Sequence, residues 1–250
     1  MILKAIIRYD GGGFAGWQVQ PGQRTIQGAL EDALSTIASA PVRVHGAGRT
    51  DAGVHAFGQV CSFTWTEDAD CAKLRRSLSK MLGPEIRALS VEPAEPDFHA
   101  RKSAIEKTYI YSLALGKEPD PFLRRYAWCT EWALDMAQFV ELARLFEGRH
   151  DFAGFQGGGA TVETTVRTVH EVSVHRGALI EPLAAADTWR IVFRGEGFLY
   201  KMVRNITGAM AEAARGRLSC DGLTRALTSP GPYKGFTAPA CGLALWEVKY

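Results

Sequence analysis

The chain has 250 residues, 46% of them hydrophobic and 22% charged, which is enough to bury a full core and excludes wholesale disorder. Its 29 Lys and Arg against 27 Asp and Glu leave a net charge of +2, which excludes a uniformly basic protein but leaves room for a local basic cleft. Cys61, Cys71, Cys129, Cys220 and Cys241 form no C-x-x-C pair, which argues for buried, reduced thiols in a cytosolic protein. No apolar window reaches membrane-span length, and the N-terminus lacks the apolar core of a signal segment, so a soluble intracellular protein is expected.

The Ile-rich alternation of residues 2–9 predicts a strand, broken by Asp10 and three glycines. Ile26, Leu30, Ala33, Leu34 and Ile37 share one helical face, with Thr25 placed as N-cap. Residues 41–45 read as a second strand and 58–65 as a third. Residues 70–82 form a basic amphipathic helix closed by Gly83 and Pro84, and a fourth strand follows over 86–91. A second round gives a strand over 109–115, a helix over 134–147, strands over 169–175 and 189–194, a helix over 199–216 and a last strand over 243–250. Strands and helices in this order predict an α+β architecture, divided near residues 100–106 into an N-terminal domain of 1–103 and a C-terminal domain of 104–250.

Four segments carry candidate chemistry. In GAGRTDAGVH (46–55), the glycines permit close backbone approach, and Arg49 and Asp51 stand two residues apart. A tight connection with a surface ion pair fits that composition as well as a ligand loop does, and the motif is neither a P-loop nor a dinucleotide fingerprint. In residues 97–102, Phe98, His99, Arg101 and Lys102 combine an aromatic, an imidazole and two cations, as a base-stacking and phosphate-neutralising segment would. A solvated linker has the same composition. Tyr109 and Tyr111 share one strand face, as core or stacking residues do. In residues 195–208, Lys201 and Arg204 fall on one helix face beside Asn205, among apolar neighbours that would oblige a buried guanidinium to find a carboxylate unless it snorkels to solvent. The six histidines show no metal-ligand spacing, and no Gly-x-Ser-x-Gly occurs.

Seven ordered segments together resemble one family: YDGGGFAGWQVQ (9–20), RTIQGAL (24–30), GAGRTDAGVH (46–55), DFHAR (97–101), KTY (107–109), GFLYKMVRN (197–205) and APACGL (238–243). The family is tRNA pseudouridine synthase A, and the resemblance spans residues 2–250. It implies two α+β domains around a continuous antiparallel sheet with helices packed on it, a central RNA-binding cleft, a cytoplasmic homodimer, and no metal or cofactor. It implies isomerisation of uridine to pseudouridine at positions 38, 39 and 40 of the tRNA anticodon stem-loop, by base flipping. By the same resemblance Asp51 is the catalytic aspartate, Arg49 helps flip the base, Tyr109 stacks on the uracil, and Arg204 is the basic partner of the aspartate. Phe98, His99, Arg101 and Lys102 lie in a tRNA-touching segment, with residues 156–160 as a second one. Lys73, Arg75, Arg76, Lys80, Arg124 and Arg125 could extend the basic path. Two alternatives stay open at this point: a catalytically silent RNA-binding protein, and a small-molecule phosphate-binding enzyme using the glycine loop.

Overall fold

The computed structural model describes residues 1–66, 68–116, 120–159, 162–180, 187–228 and 235–250. The chain is α+β and resolves into two compact units, one of Met1–Ile105 with Ala244–Tyr250 and one of Glu106–Leu243.

The sheet of the first unit has the order β4 (Ile86–Ala94), β1 (Ile2–Tyr9), β3 (His55–Thr64), β10 (Leu243–Lys249), with the short β2 (His45–Gly46) also on β3. β1 pairs antiparallel with both β3 and β4, whereas β10 runs parallel to β3 through Ala244–His55 and Leu245–Ala56. Period-two alternation puts Leu3, Ala5, Ile7 and Tyr9 on the buried face of β1. Helix α1 (Ile26–Ala38) buries Ile26, Leu30, Ala33 and Leu34, and the Thr25 hydroxyl accepts the Gly28 N–H as the expected N-cap. Helix α2 (Cys71–Met81) begins under an Asp70 cap and buries Leu74 and Leu78, leaving Lys73, Arg76 and Lys80 exposed.

The expected strand over 41–45 is a correction, since only His45 and Gly46 join the ladder. Val42 and Val44 are buried as the alternation required, but their N–H groups donate to the Ser35 hydroxyl and the Glu31 carboxylate. Side chains of α1 satisfy that backbone, so no partner strand is needed.

In the second unit β5 (Glu106–Leu115), β9 (Thr188–Gly195), β8 (Val166–Arg176) and β7 (Gly148–Asp151) follow one another antiparallel, and β6 (Trp128–Thr130) lies parallel to β5. Helix α3 (Met136–Ala143) is shorter than the expected 134–147: Asp135 caps its start, and Arg144–Phe146 tightens into a 3-10 turn. Helix α4 (Met202–Ala214) is buried almost all round, from Met202 and Val203 to Ala213 and Ala214, as befits the central helix of the unit. It starts later than residue 199, and Lys201 precedes it instead of sharing its face with Arg204. A helix that the sequence reading missed, α5 (Cys220–Thr228), buries only Leu223 and Leu227.

The thiols differ from expectation. All five cysteines are free, yet only Cys61 is buried, where loss of solvent pushes its pKa up to about 12; Cys220 is exposed. Among the described residues no helix is long and apolar enough to cross a membrane, and no group of three or more His, Cys, Asp or Glu is placed to hold a metal ion.

Candidate active site

In the first unit the segment from β2 to β3 is fastened on both sides of Asp51. Ahead of it, the Ala47 N–H donates to Val60 O at 2.8 Å, and the Gln59 side chain donates to Gly48 O at 2.8 Å. Thr50 is buried: its hydroxyl meets the Tyr9 hydroxyl at 2.8 Å, and its carbonyl accepts the Trp17 N–H at 3.0 Å. Behind it, the Val54 N–H closes a turn onto Asp51 O at 3.1 Å, with Gly53 at φ +79°. Burial raises the Tyr9 phenol to about 12 against the lowering effect of its hydrogen bonds to Thr50 and Gln59, so Tyr9 is a neutral strut at physiological pH. Arg49 is exposed and Asp51 half-buried, so both side chains reach solvent from a turn whose backbone is tied down.

The glycine-rich opening of the chain explains how the loop is braced. Gly16 sits at φ +96°, where a Cβ would stand 2.7 Å from Thr50 O, and a Cβ on Gly11 would stand 1.9 Å from Val54 O. The Gly11 N–H donates to Nδ1 of the buried His55 at 3.1 Å. The same nitrogen also lies 3.2 Å from the Asp10 carboxylate.

The second unit holds Tyr109 and Arg204. Tyr109 is buried on β5, directly opposite Phe193 of β9, and its ring meets Phe198 edge-on at 5.2 Å. Phe198 leads through Leu199 and Tyr200 to Lys201, which lies in the left-handed region at φ +58°. Arg204 stands in the first turn of α4, half-buried, where its Nε donates to Ala238 O at 2.8 Å and its own carbonyl accepts the Ala238 N–H at 3.1 Å. The Nε of this guanidinium is thus given to a backbone carbonyl. Asn205, buried beside it, donates to Phe155 O at 2.8 Å and accepts from the Thr237 hydroxyl at 2.7 Å, so three segments converge on one amide. Gly208 lets residues 236–238 lie against the helix, since a Cβ there would stand 1.8 Å from Phe236 O. The 156–159 loop is joined to the same region by Gly157 N–H donating to Tyr200 O at 2.7 Å; Ala160 lies outside the described residues.

A left-handed lysine carries a backbone strain of about 1 kcal/mol that asparagine tolerates better. Lys201→Asn is accordingly expected to raise the stability measured by urea unfolding by about 0.5–1 kcal/mol.

The 97–102 segment divides by role. Phe98 packs on Tyr250 at 4.9 Å and under Lys4, while Ala100 is held by the Ser62 hydroxyl and the Tyr250 hydroxyl. The His99 Nδ1 accepts the N–H groups of Arg101 and Lys102 at 3.1 and 3.4 Å. Burial, followed by the nearby His45 and Lys102, lowers its pKa and keeps the ring neutral. Phe98 and His99 thus brace the turn, and Arg101 and Lys102 are the exposed cations it presents. Sequence reasoning missed Tyr9, Thr50 and His55 as supports of the Asp51 loop. All three were visible only as parts of the matching motifs.

The family model described as tRNA pseudouridine synthase matches residues 5–101 and 142–250; Arg49, Asp51 and Arg204 fall inside those segments and Tyr109 between them. The chain is 40% identical over 250 residues to tRNA pseudouridine synthase A of Listeria innocua, covering 99% of this chain and 98% of that protein. It is also 40% identical over 249 residues to the protein of that name from Streptococcus sanguinis (99% and 98% covered), and over 253 residues to that of Solibacter usitatus (99% of both). One solved structure, of a Cbf5–Nop10–Gar1 complex, aligns with 97% of this chain and 57% of its own at 11% identity and a TM-score of 0.36. Matched over most of its length by the family model and nearly end to end by these relatives, the chain belongs to the tRNA pseudouridine synthase family.

Proposed function

We propose that the protein isomerises uridine to pseudouridine at positions 38, 39 and 40 of the tRNA anticodon stem-loop, as a cytoplasmic homodimer without metal or cofactor. Asp51 is its catalytic carboxylate. The observation that carries the reading is the fixing of one half-buried aspartate, its backbone held by Tyr9 and Trp17 through Thr50 and by the turn to Val54. A reacting group needs this kind of pre-positioning, and a surface ion pair does not.

The chemistry is a balanced rearrangement. The N1–C1′ bond breaks, the uracil turns, and C5 bonds to C1′; the proton leaving C5 is matched by one gained at N1. Asp51 serves either as nucleophile at C1′ or as base toward the sugar. Arg204 has the part of the cation that favours the ionised aspartate against desolvation. Tyr109 holds the detached uracil by stacking. Flipping the uridine costs a few kcal/mol, which Arg49 offsets by following the vacated space. Arg101 and Lys102 take phosphates, with the exposed cations of α2 extending the path.

The test is primer-extension mapping of chemically labelled pseudouridine in unmodified tRNA transcripts carrying uridine at 38, 39 or 40. Stops at those positions after incubation with the protein, with no added metal or cofactor, are expected. Stops elsewhere in the tRNA would refute the site, and their absence from a broad tRNA panel would refute the activity.

A further inference from the structure

Two β-bulges interrupt the first unit's sheet at one level. Between Ile7 and Tyr9 of β1 the partner strand runs from Gln59 to Ala56, so β3 carries one residue more than β1. Ile7, Tyr9, Gln59 and Ala56 are all buried on the core face. Without the extra residue, the period of two would set Phe57 opposite Tyr9 on that face. The bulge gives the place to Ala56 and turns Phe57 outward. The second bulge lies between Ile6 and Ile7, where β4 runs from Ser90 to Ala88 and leaves Leu89 as the extra residue, 37% exposed.

On the outer face the Phe57 ring stacks on Trp246 at 5.0 Å and 30°, and the Arg8 guanidinium lies 5.2 Å from the Phe57 centroid. These three residues come from β1, β3 and β10, successive neighbours in the sheet. Gly58 allows the approach, since a Cβ there would stand 2.6 Å from Trp246 O. Arg87 of β4 is directly opposite Arg8 in the register, and both arginines are exposed. Trp246 is 40% exposed. The nearby acids are engaged or turned away: Glu92 pairs with Lys4, Glu85 with Arg24, and Glu247 alternates to the other face of β10.

We infer that this array is an RNA platform on which an unpaired base of the substrate tRNA stacks against Trp246 while Arg8 and Arg87 neutralise flanking phosphates. An exposed aromatic beside cations that hold no ion pair among the described residues is what a nucleic-acid strand requires, because every base offers a π-face and every linkage a charge. Phe57 lies six residues after Asp51 in the chain, at the end of β3 that leaves the Asp51 loop. A second copy of the chain fits less well, since a self-complementary contact centred here would bring Arg8 and Arg87 against their own like charges. The identity of the RNA rests on the reading in the preceding section, but the platform is testable by binding alone.

The experiment is fluorescence anisotropy of the full-length protein with an unmodified tRNA transcript over a salt series, with sedimentation and thermal melts as controls. Trp246→Ala is expected to raise Kd about tenfold, and Trp246→Phe to recover most of it. In turnover the loss is expected in KM and not in kcat. The Arg8→Gln/Arg87→Gln double variant is expected to reduce the slope of log K against log salt by about 1–2. Kd within twofold of wild type and an unchanged slope would overturn the platform. So would a changed oligomeric state at unchanged tRNA affinity, which would make the face a contact between copies. Because binding is read without turnover, an inactive wild type would refute the proposed reaction and leave the platform result standing.

Discussion

Asp51→Asn is expected to lower pseudouridine formation by at least about 1,000-fold while leaving tRNA affinity within about threefold of wild type. The substitution keeps the shape of the side chain and removes only its charge. The change leaves intact the bonds to the backbone of residues 47–54 and to the Thr50 hydroxyl that hold this turn. The side chain is half-buried, so the fold loses little, and the melting temperature should stay within about 2 °C, the shift for well under 1 kcal/mol in a chain of this size. What disappears is the lone-pair charge that either attacks C1′ or removes a sugar proton. Single-turnover release of tritium from tRNA labelled at uracil C5 reads the loss directly. A rate within tenfold of wild type would show that the carboxylate does not take part in bond-making or proton transfer.

Elements whose physics is local were legible from short sequence signals. Thr25 before an apolar face, the basic amphipathic pattern of residues 70–82 and the alternation of residues 2–9 led to α1 with its cap, α2 and β1, while the Asp70 cap of α2 came from the structure. The misread segments are those decided by tertiary partners. Residues 41–44 have the alternation of a strand, but Glu31 and Ser35 take their N–H groups. Strand β10 was found, yet nothing local says that it lies parallel to β3. Helix α5 escaped because two buried leucines four residues apart are too faint a period. The site divides in the same way. Asp51 stands out in a glycine-rich loop, but its role comes from the family resemblance, because composition leaves a surface ion pair as an equal reading. The struts that hold it, Tyr9 and His55, are more than 40 residues from their partners Thr50 and Gly11 and carry no local sign of that pairing. Phe57 is the sharpest case: plain alternation would place it in the core, and only the bulge reveals otherwise.

Gly11→Ala is expected to destabilise the protein by about 3 kcal/mol or more and to slow the surviving folded fraction at least about tenfold. The buried Gly11 opens the 3-10 turn at residues 11–13, and a Cβ there would lie 1.9 Å from Val54 O and 2.6 Å from Val54 C. Both are backbone atoms and cannot swing aside as a side-chain tip would. Relief has to come from parting the Gly11 turn and the Val54–His55 backbone, which strains the Gly11 N–H bond to His55 and the turn from Val54 to Asp51. Stability and catalysis therefore fall together, because the contact that fails is the floor beneath Asp51. Gly12→Ala is the matched control: Gly12 is exposed, and its Cβ would meet only the Asp10 carboxylate at 3.1 Å, so a change below about 1 kcal/mol is expected. Urea unfolding of the two variants, with single-turnover rates under native conditions, separates the cases. Equal stabilities for the pair would mean that the two backbones do not pack as closely as described, and a stable but slow Gly11→Ala would place the contact in catalysis alone.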